Sequence, residues 1–134
     1  MSRSTGARLL AVTSITLSSA LREKLAPLDH DLTCVTTVGE ITELRKSGEH
    51  FEVIILPERF ADSDWWILWS ELSSLDPPPA ILVYSRNPTF RLWTAVLDLG
   101  GSGVISEPFE QREINQLVIE AALEFRARAR SSTT

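Results

Sequence analysis

Short aliphatic runs alternate along this chain with stretches whose apolar residues recur every three or four positions. Arg8 to Val12 (RLLAV) reads as a first strand. After it, Leu17, Leu21, Leu25 and Leu28 fall at helical spacing, with Ser14 or Thr16 available as N-cap and Pro27 marking the end. Leu32 to Thr36 reads as a second strand, and Gly39 to Ser47 as a short helix stopped by Gly48. Val53 to Leu56 (VIIL) and Ala80 to Tyr84 (AILVY) are unbroken β-branched and aliphatic runs, the pattern of strands buried on both faces of a parallel sheet. Between them, Asp64 to Leu75 reads as a third helix, ended by Asp76 to Pro79. Thr89 to Leu99 reads as a fourth helix, with Gly100 and Gly101 at its C-terminus. Val104 and Ile105 form a last short strand. Gln111 to about Arg130 is a final amphipathic helix whose Ile114, Leu117, Val118, Ala121 and Ala122 face inward.

Five strands alternating with five helices predict a (βα)5 doubly wound α/β fold with a five-stranded parallel sheet. Ligands of such sheets sit beyond the strand C-termini, where the strand order reverses. The residues that follow the strands are therefore the candidates for chemistry: Thr13 and Ser14, Pro57 and Glu58, Ser85 and Arg86, Ser106 and Glu107.

Length and charge narrow the picture. The 134 residues suit one domain, and 43% apolar residues suffice for a core. Residues 1–7 read as a flexible N-terminus, 8–128 as the domain and 129–134 as a flexible tail. The formal net charge of −5 argues against a nucleic-acid surface. The one basic run, Arg126, Arg128 and Arg130, reads as a solvated helix end that complements the helix dipole. The single cysteine, Cys34, lies in an apolar run and reads as core packing. No stretch approaches the roughly 20 apolar residues of a membrane span, and no signal core follows the start, so a cytoplasmic protein with no membrane partner is expected.

The positions after the strands also carry a resemblance. Leu99 to Phe109 (LGGSGVISEPF) resembles the end of a response-regulator receiver (CheY-like) domain, where that family has alanine-glycine-alanine and then lysine-proline-phenylalanine. Phe51 to Pro57 (FEVIILP) resembles the family's third strand, which begins with an acidic residue and ends on the phosphorylated aspartate. Asp64 falls at the aspartate of the family's aspartate-glycine turn. Ser85 precedes Glu107 by 22 residues, the family's gap between its switch threonine and its lysine. The resemblance spans residues 8 to 128. It implies the flavodoxin-like strand order 2-1-3-4-5 and a role in bacterial two-component-like signalling.

The family's chemistry does not carry over. Receivers hold magnesium with two acidic residues after strand one and an aspartate after strand three, and magnesium needs such oxygen ligands. Thr13 and Ser14 replace the acidic pair, Pro57 replaces the aspartate, and Glu107 replaces the lysine, reversing its charge. Ser85 alone keeps its hydroxyl, and Val104 stands where the family has its switch aromatic. These five positions, Thr13, Ser14, Pro57, Ser85 and Glu107, form a degenerate site with no metal, no cofactor and no catalysis expected. Glu58 and Glu107 are a candidate carboxylate pair for a cation, weighed against two solvated side chains. His30 and His50 lie at the wrong ends of their strands for this site. The hydroxyls lack a histidine base, and no glycine-rich loop follows strand one.

A working surface must then lie elsewhere. All four tryptophans fall at Trp65, Trp66, Trp69 and Trp93. Leu68, Trp69 and Leu72 mark the inward face of helix three. Trp65 either fills the volume left by the missing magnesium and phosphate or joins an interface with Ile67. In helix four, Phe90, Trp93 and Leu97 form one stripe and Leu92 and Val96 another; both are not buried unless something covers the helix. Tryptophan and phenylalanine are favoured interface anchors, and since receiver domains commonly pair through helix four, strand five and helix five, the resemblance implies another signalling protein or a second copy there. The expected function is a non-phosphorylatable pseudo-receiver that acts by protein contacts. The alternatives are a receiver phosphorylated elsewhere, at Ser85 or Thr13, and a sensor with a small ligand in the emptied pocket.

Overall fold

The computed structural model describes residues 7–26, 30–60, 63–74 and 77–131, with 63, 64 and 131 described as backbone. The elements run β1 (Arg8–Val12), α1 (Ile15–Leu25), β2 (Asp31–Val35), α2 (Val38–Ser47), β3 (Val53–Pro57), α3 (Trp65–Leu72), β4 (Ala80–Ser85), α4 (Phe90–Asp98), β5 (Gly103–Ser106) and α5 (Gln111–Ser131). The sheet order is β2-β1-β3-β4-β5, every pair parallel. The doubly wound architecture and its order are those expected.

Alternation along the strands builds two separate faces. Leu9, Ala11, Val53, Ile55, Leu82 and Ile105 turn toward Leu21 and Leu25 of α1 and Ile114 and Val118 of α5. Leu10, Val12, Ile54, Leu56 and Ile81 turn toward Ile41 of α2 and Leu68 and Leu72 of α3. Val83 and Val104 meet Trp65, Leu92 and Val96 from α3 and α4. All five β3 positions are buried, whereas edge strand β2 buries only Val35. Each fully buried leucine or isoleucine contributes about 1.5–3 kcal/mol against the entropy of ordering the chain.

Local signals set the helix ends. Ser14, not Thr16, caps α1, its hydroxyl accepting from the Leu17 amide at 3.1 Å. Thr37 and Glu40 form a reciprocal capping box on α2, and the amides and hydroxyls that Glu40 accepts hold its carboxyl below the usual range. Gly48 ends α2 at φ +76°, where a side chain would be strained. After α4, the Gly101 amide donates to Val96 O at 2.8 Å, and a Cβ on Gly101 would lie 2.5 Å from Val96 Cγ1. Only glycine lets the chain pass that close.

Several boundaries differ from expectation. β2 begins at Asp31, because parallel pairing with β1 extends to Arg8. α3 stops at Leu72; the expected end over Leu75 and Asp76 lies outside the described residues, as do Pro27 and Leu28. A short antiparallel ladder of Arg59–Phe60 with Ser63–Asp64 precedes α3 and was not expected. Ala7 belongs to the domain rather than to a loose terminus: it is buried, and its amide donates to His30 Nδ1 at 2.9 Å. α5 continues through Ser131, so 129–131 are helix, not tail. Arg126 is not simply solvated either. Its Nε and Nη2 donate to both Glu52 carboxylate oxygens at 2.6 and 2.9 Å, tying α5 to the start of β3.

Candidate functional site: the cleft beyond the strand ends

Ser14, Pro57, Ser85 and Glu107 come together around a cleft of about 710 Å³ at the C-terminal end of the sheet. Thr13 does not line it. Thr13 is fully buried, and its amide donates to Val35 O at 3.0 Å, prolonging the β1–β2 ladder. Thr16, Leu17, Thr36, Phe60 and Tyr84 also line the cleft, as do the polar Glu58, Arg59, Arg86 and Asn87.

Pro57 sits where its missing N–H does no harm. Successive amides of a parallel strand point to opposite neighbours. The Glu58 amide donates to Tyr84 O of β4 at 2.9 Å, so the Pro57 nitrogen faces β1, whose pairing with β3 has already ended at Ala11 and Ile55. A proline at a strand's last residue, clear of the ladder, is tolerated. It presents neither nucleophile nor metal ligand.

The two carboxylates of the cleft are engaged by protein groups. The Ser85 hydroxyl donates to Glu58 Oε1 at 2.6 Å, and Ser85 Oγ accepts from the Asn87 amide at 3.1 Å. Glu107 Oε2 accepts from Arg86 Nε at 3.4 Å. Glu58 is thus exposed to solvent and at the same time held by the Ser85 hydroxyl. Among the described residues no three His, Cys, Asp or Glu side chains come together as a metal site. The Tyr84 hydroxyl crosses to Val12 O at 3.0 Å, and its ring meets Phe109 edge-on at 5.5 Å. Burial, and then the charge of Glu107, push the Tyr84 hydroxyl's pKa far up, so it stays a neutral donor. Burial likewise raises the Cys34 thiol, against the opposing charge of Arg22 and hydroxyl of Thr13, which fits a packing role. His30 and His50 lie away from the cleft, at the start of β1, where His50 O accepts from Arg8 Nη1.

The expected interface residues divide. Trp65 is a correction: it is 7% exposed and so offers no surface anchor. Nor does it fill the cleft. It packs with Trp69, Val83, Leu92, Val96 and Val104, supplying bulk where β5 offers only a valine. Phe90 is 86%, Leu97 52%, Ile67 39% and Trp93 38% exposed, while Leu92 and Val96 are the stripe that packs on the sheet. The Trp93 ring lies against β5 at Gly103, where an added Cβ would sit 3.7 Å from its Cζ3 and Cη2. Trp66, 50% exposed beside Ile67, joins this apolar group, although its helical position gave no reason to choose it over Trp65. The Glu58–Ser85 pairing was also missed, because it needs the register of β3 against β4.

No family model matches the sequence, and no curated protein does. Solved structures match it closely in shape. The signal receiver domain of an HD domain-containing protein from Pseudomonas fluorescens Pf-5 superposes with a TM-score of 0.75 at 15% identity, over 91% of this chain and 98% of that one. A response regulator receiver domain protein (CheY-like) from Methanospirillum hungatei JF-1 gives 0.75 at 18% identity, over 92% and 98%. The beryllofluoride-activated NtrC4 receiver domain, solved as a dimer, gives 0.77 at 18% identity, over 88% and 98%. By its sheet order, its helices and these superpositions, the chain has the CheY-like fold of response-regulator receiver domains.

Proposed function

We propose that this chain is a pseudo-receiver, a signalling module that works through protein contacts and is not phosphorylated at the strand-three position. The observation that carries the reading is Pro57. It closes β3 at the mouth of the cleft, with Ser14 and Glu107 around it in place of the groups that would hold a metal ion and a phosphoryl group. The output surface is the stripe Phe90, Trp93 and Leu97 on α4, extended by Trp66 and Ile67 on α3. The occupant of this surface is another signalling protein or a second copy, and the NtrC4 receiver domain in the comparison is itself a dimer.

The test is incubation with acetyl phosphate and magnesium, read by intact mass, with beryllofluoride and thermal shift alongside. The expected result is no mass gain and no shift in melting temperature. A phosphoryl adduct at one defined residue, Ser85 or Thr13 included, overturns the reading.

A further inference from the structure

The cleft holds two carboxylates that the fold satisfies unevenly. Glu58 has the Ser85 hydroxyl at 2.6 Å. The Glu107 side chain is only 14% exposed, yet its ion pair is one Arg86 Nε at 3.4 Å, from a side chain that is 87% exposed. A carboxylate offers about four acceptor positions and is held well out of water only by close, aligned donors. The Arg86 contact is long, one-pointed and washed by solvent, the kind of pair that contributes little. Among the mainly polar residues of the cleft, Leu17, Pro57, Phe60 and Tyr84 give it an apolar part of its wall. Glu107 is also among the causes that raise the Tyr84 hydroxyl's pKa, so its charge acts on the interior of the cleft and not only on solvent.

We propose that this cleft binds an organic cation, an ammonium or guanidinium group on an apolar stem, with Glu107 as its counter-ion and Arg86 as the side chain it displaces. At about 710 Å³ the cleft lies in the range of small-ligand sites. The stem rests on Leu17 and Phe60, and an aromatic wall favours a cation. A bare metal ion fits less well: among the described residues no third ligand joins the carboxylates, and Glu58 is already taken by a hydroxyl. Arg59 also lines the cleft but has an interaction of its own. The proposal rests on the cleft not being a phosphorylation site. Its test uses no phosphodonor, so either reading can fail alone.

Isotope-labelled protein is titrated with n-butylammonium and n-butylguanidinium, and with n-butanol and butyrate as matched controls, while amide shifts are followed. The cations should give saturable shifts at Ser85, Asn87 and Glu107, and the controls none. Glu107→Gln should weaken binding about tenfold or more, the order expected when one partner of a charge-assisted contact is removed. Arg86→Ala should strengthen it severalfold by removing the competitor, an effect that a purely structural role would not produce. Absent shifts, equal shifts with butanol, or unchanged affinity in Glu107→Gln overturn the proposal. Should Glu107→Gln not fold, unchanged or weaker affinity in Arg86→Ala, at an exposed position, overturns it equally. Tighter binding by a capped lysine peptide than by butylammonium assigns the cation to a partner's side chain, and the reverse order to a free amine; both support the site.

Discussion

Glu58 and Ser85, from the ends of adjacent strands, meet at 2.6 Å, the serine hydroxyl donating to the carboxylate. The Glu58 backbone is tied in as well: its amide donates to Tyr84 O, and its carbonyl accepts from the Trp65 amide, each at 2.9 Å. One glutamate thus joins β3, the end of β4 and the start of α3. Ser85 passes the connection on by accepting from the Asn87 amide, just before α4.

Removing the hydroxyl should therefore be felt. Ser85→Ala removes the short donor of an exposed carboxylate and should destabilise the domain by about 0.5–1 kcal/mol. Glu58→Gln should lose less, since an amide oxygen still accepts. Urea denaturation of the two variants and their combination checks this. Strictly additive losses would show that the pair is not coupled.

Restoring an aspartate at position 57 should not restore phosphorylation. Pro57→Asp supplies a nucleophile, but Thr13 and Ser14 bring no carboxylate and Glu107 brings charge of the wrong sign. Intact mass after acetyl phosphate and magnesium should match the unmodified protein. A phosphorylated Pro57→Asp chain would mean that the remaining cleft still binds magnesium.

Trp93→Glu should weaken association through α4 without unfolding the domain. The indole is partly exposed and lies on Gly103 at the sheet edge, so the change perturbs the surface more than the core. Light scattering across a concentration series reads the effect. A native chain that stays monomeric throughout removes the second copy as the occupant and leaves a different partner.

The Glu52–Arg126 pair predicts a pH dependence. The Arg126 hydrogen bonds, chiefly, hold the Glu52 carboxyl below its usual range. A lowered folded pKa gives stability that is present above the unfolded value, near ~4.3, and lost as pH falls through the lower folded value. Arg126 is 41% exposed, so screening limits the effect to about 1 kcal/mol near neutrality. Denaturation of Glu52→Gln and the native chain should differ at neutral pH and converge in acid. A difference that stays constant with pH rejects this account.

The strands could be read in the sequence because short unbroken runs such as VIIL and AILVY suit strands buried on both faces, their order followed from the receiver resemblance, and the capping residues mark helix starts. Pro57 and Glu107 could be located in the sequence because they stand at strand ends: Pro57 is the last residue of β3 and Glu107 follows β5, and both line the cleft. Trp65 was harder. Periodicity gives a residue's face on α3 but not what stands opposite, and only the assembled α3, α4 and β5 show room beside Val104 for an indole. The Arg126–Glu52 pair spans 74 residues, and no local pattern announces it.

Helix α4 is fastened at both ends. Its first turn follows the Asn87–Ser85 hydrogen bond and is capped by Thr89, while behind it Gly101 passes against Val96 with no space for a side chain. The exposed stripe of Phe90, Trp93 and Leu97 is thus carried on a backbone with little freedom to lose. A partner docking there meets a preorganised surface, so most of the entropy of ordering that face was spent on folding. Recognition should then resemble rigid-body docking, with small backbone shifts and with differences between partners expressed chiefly in how slowly they leave.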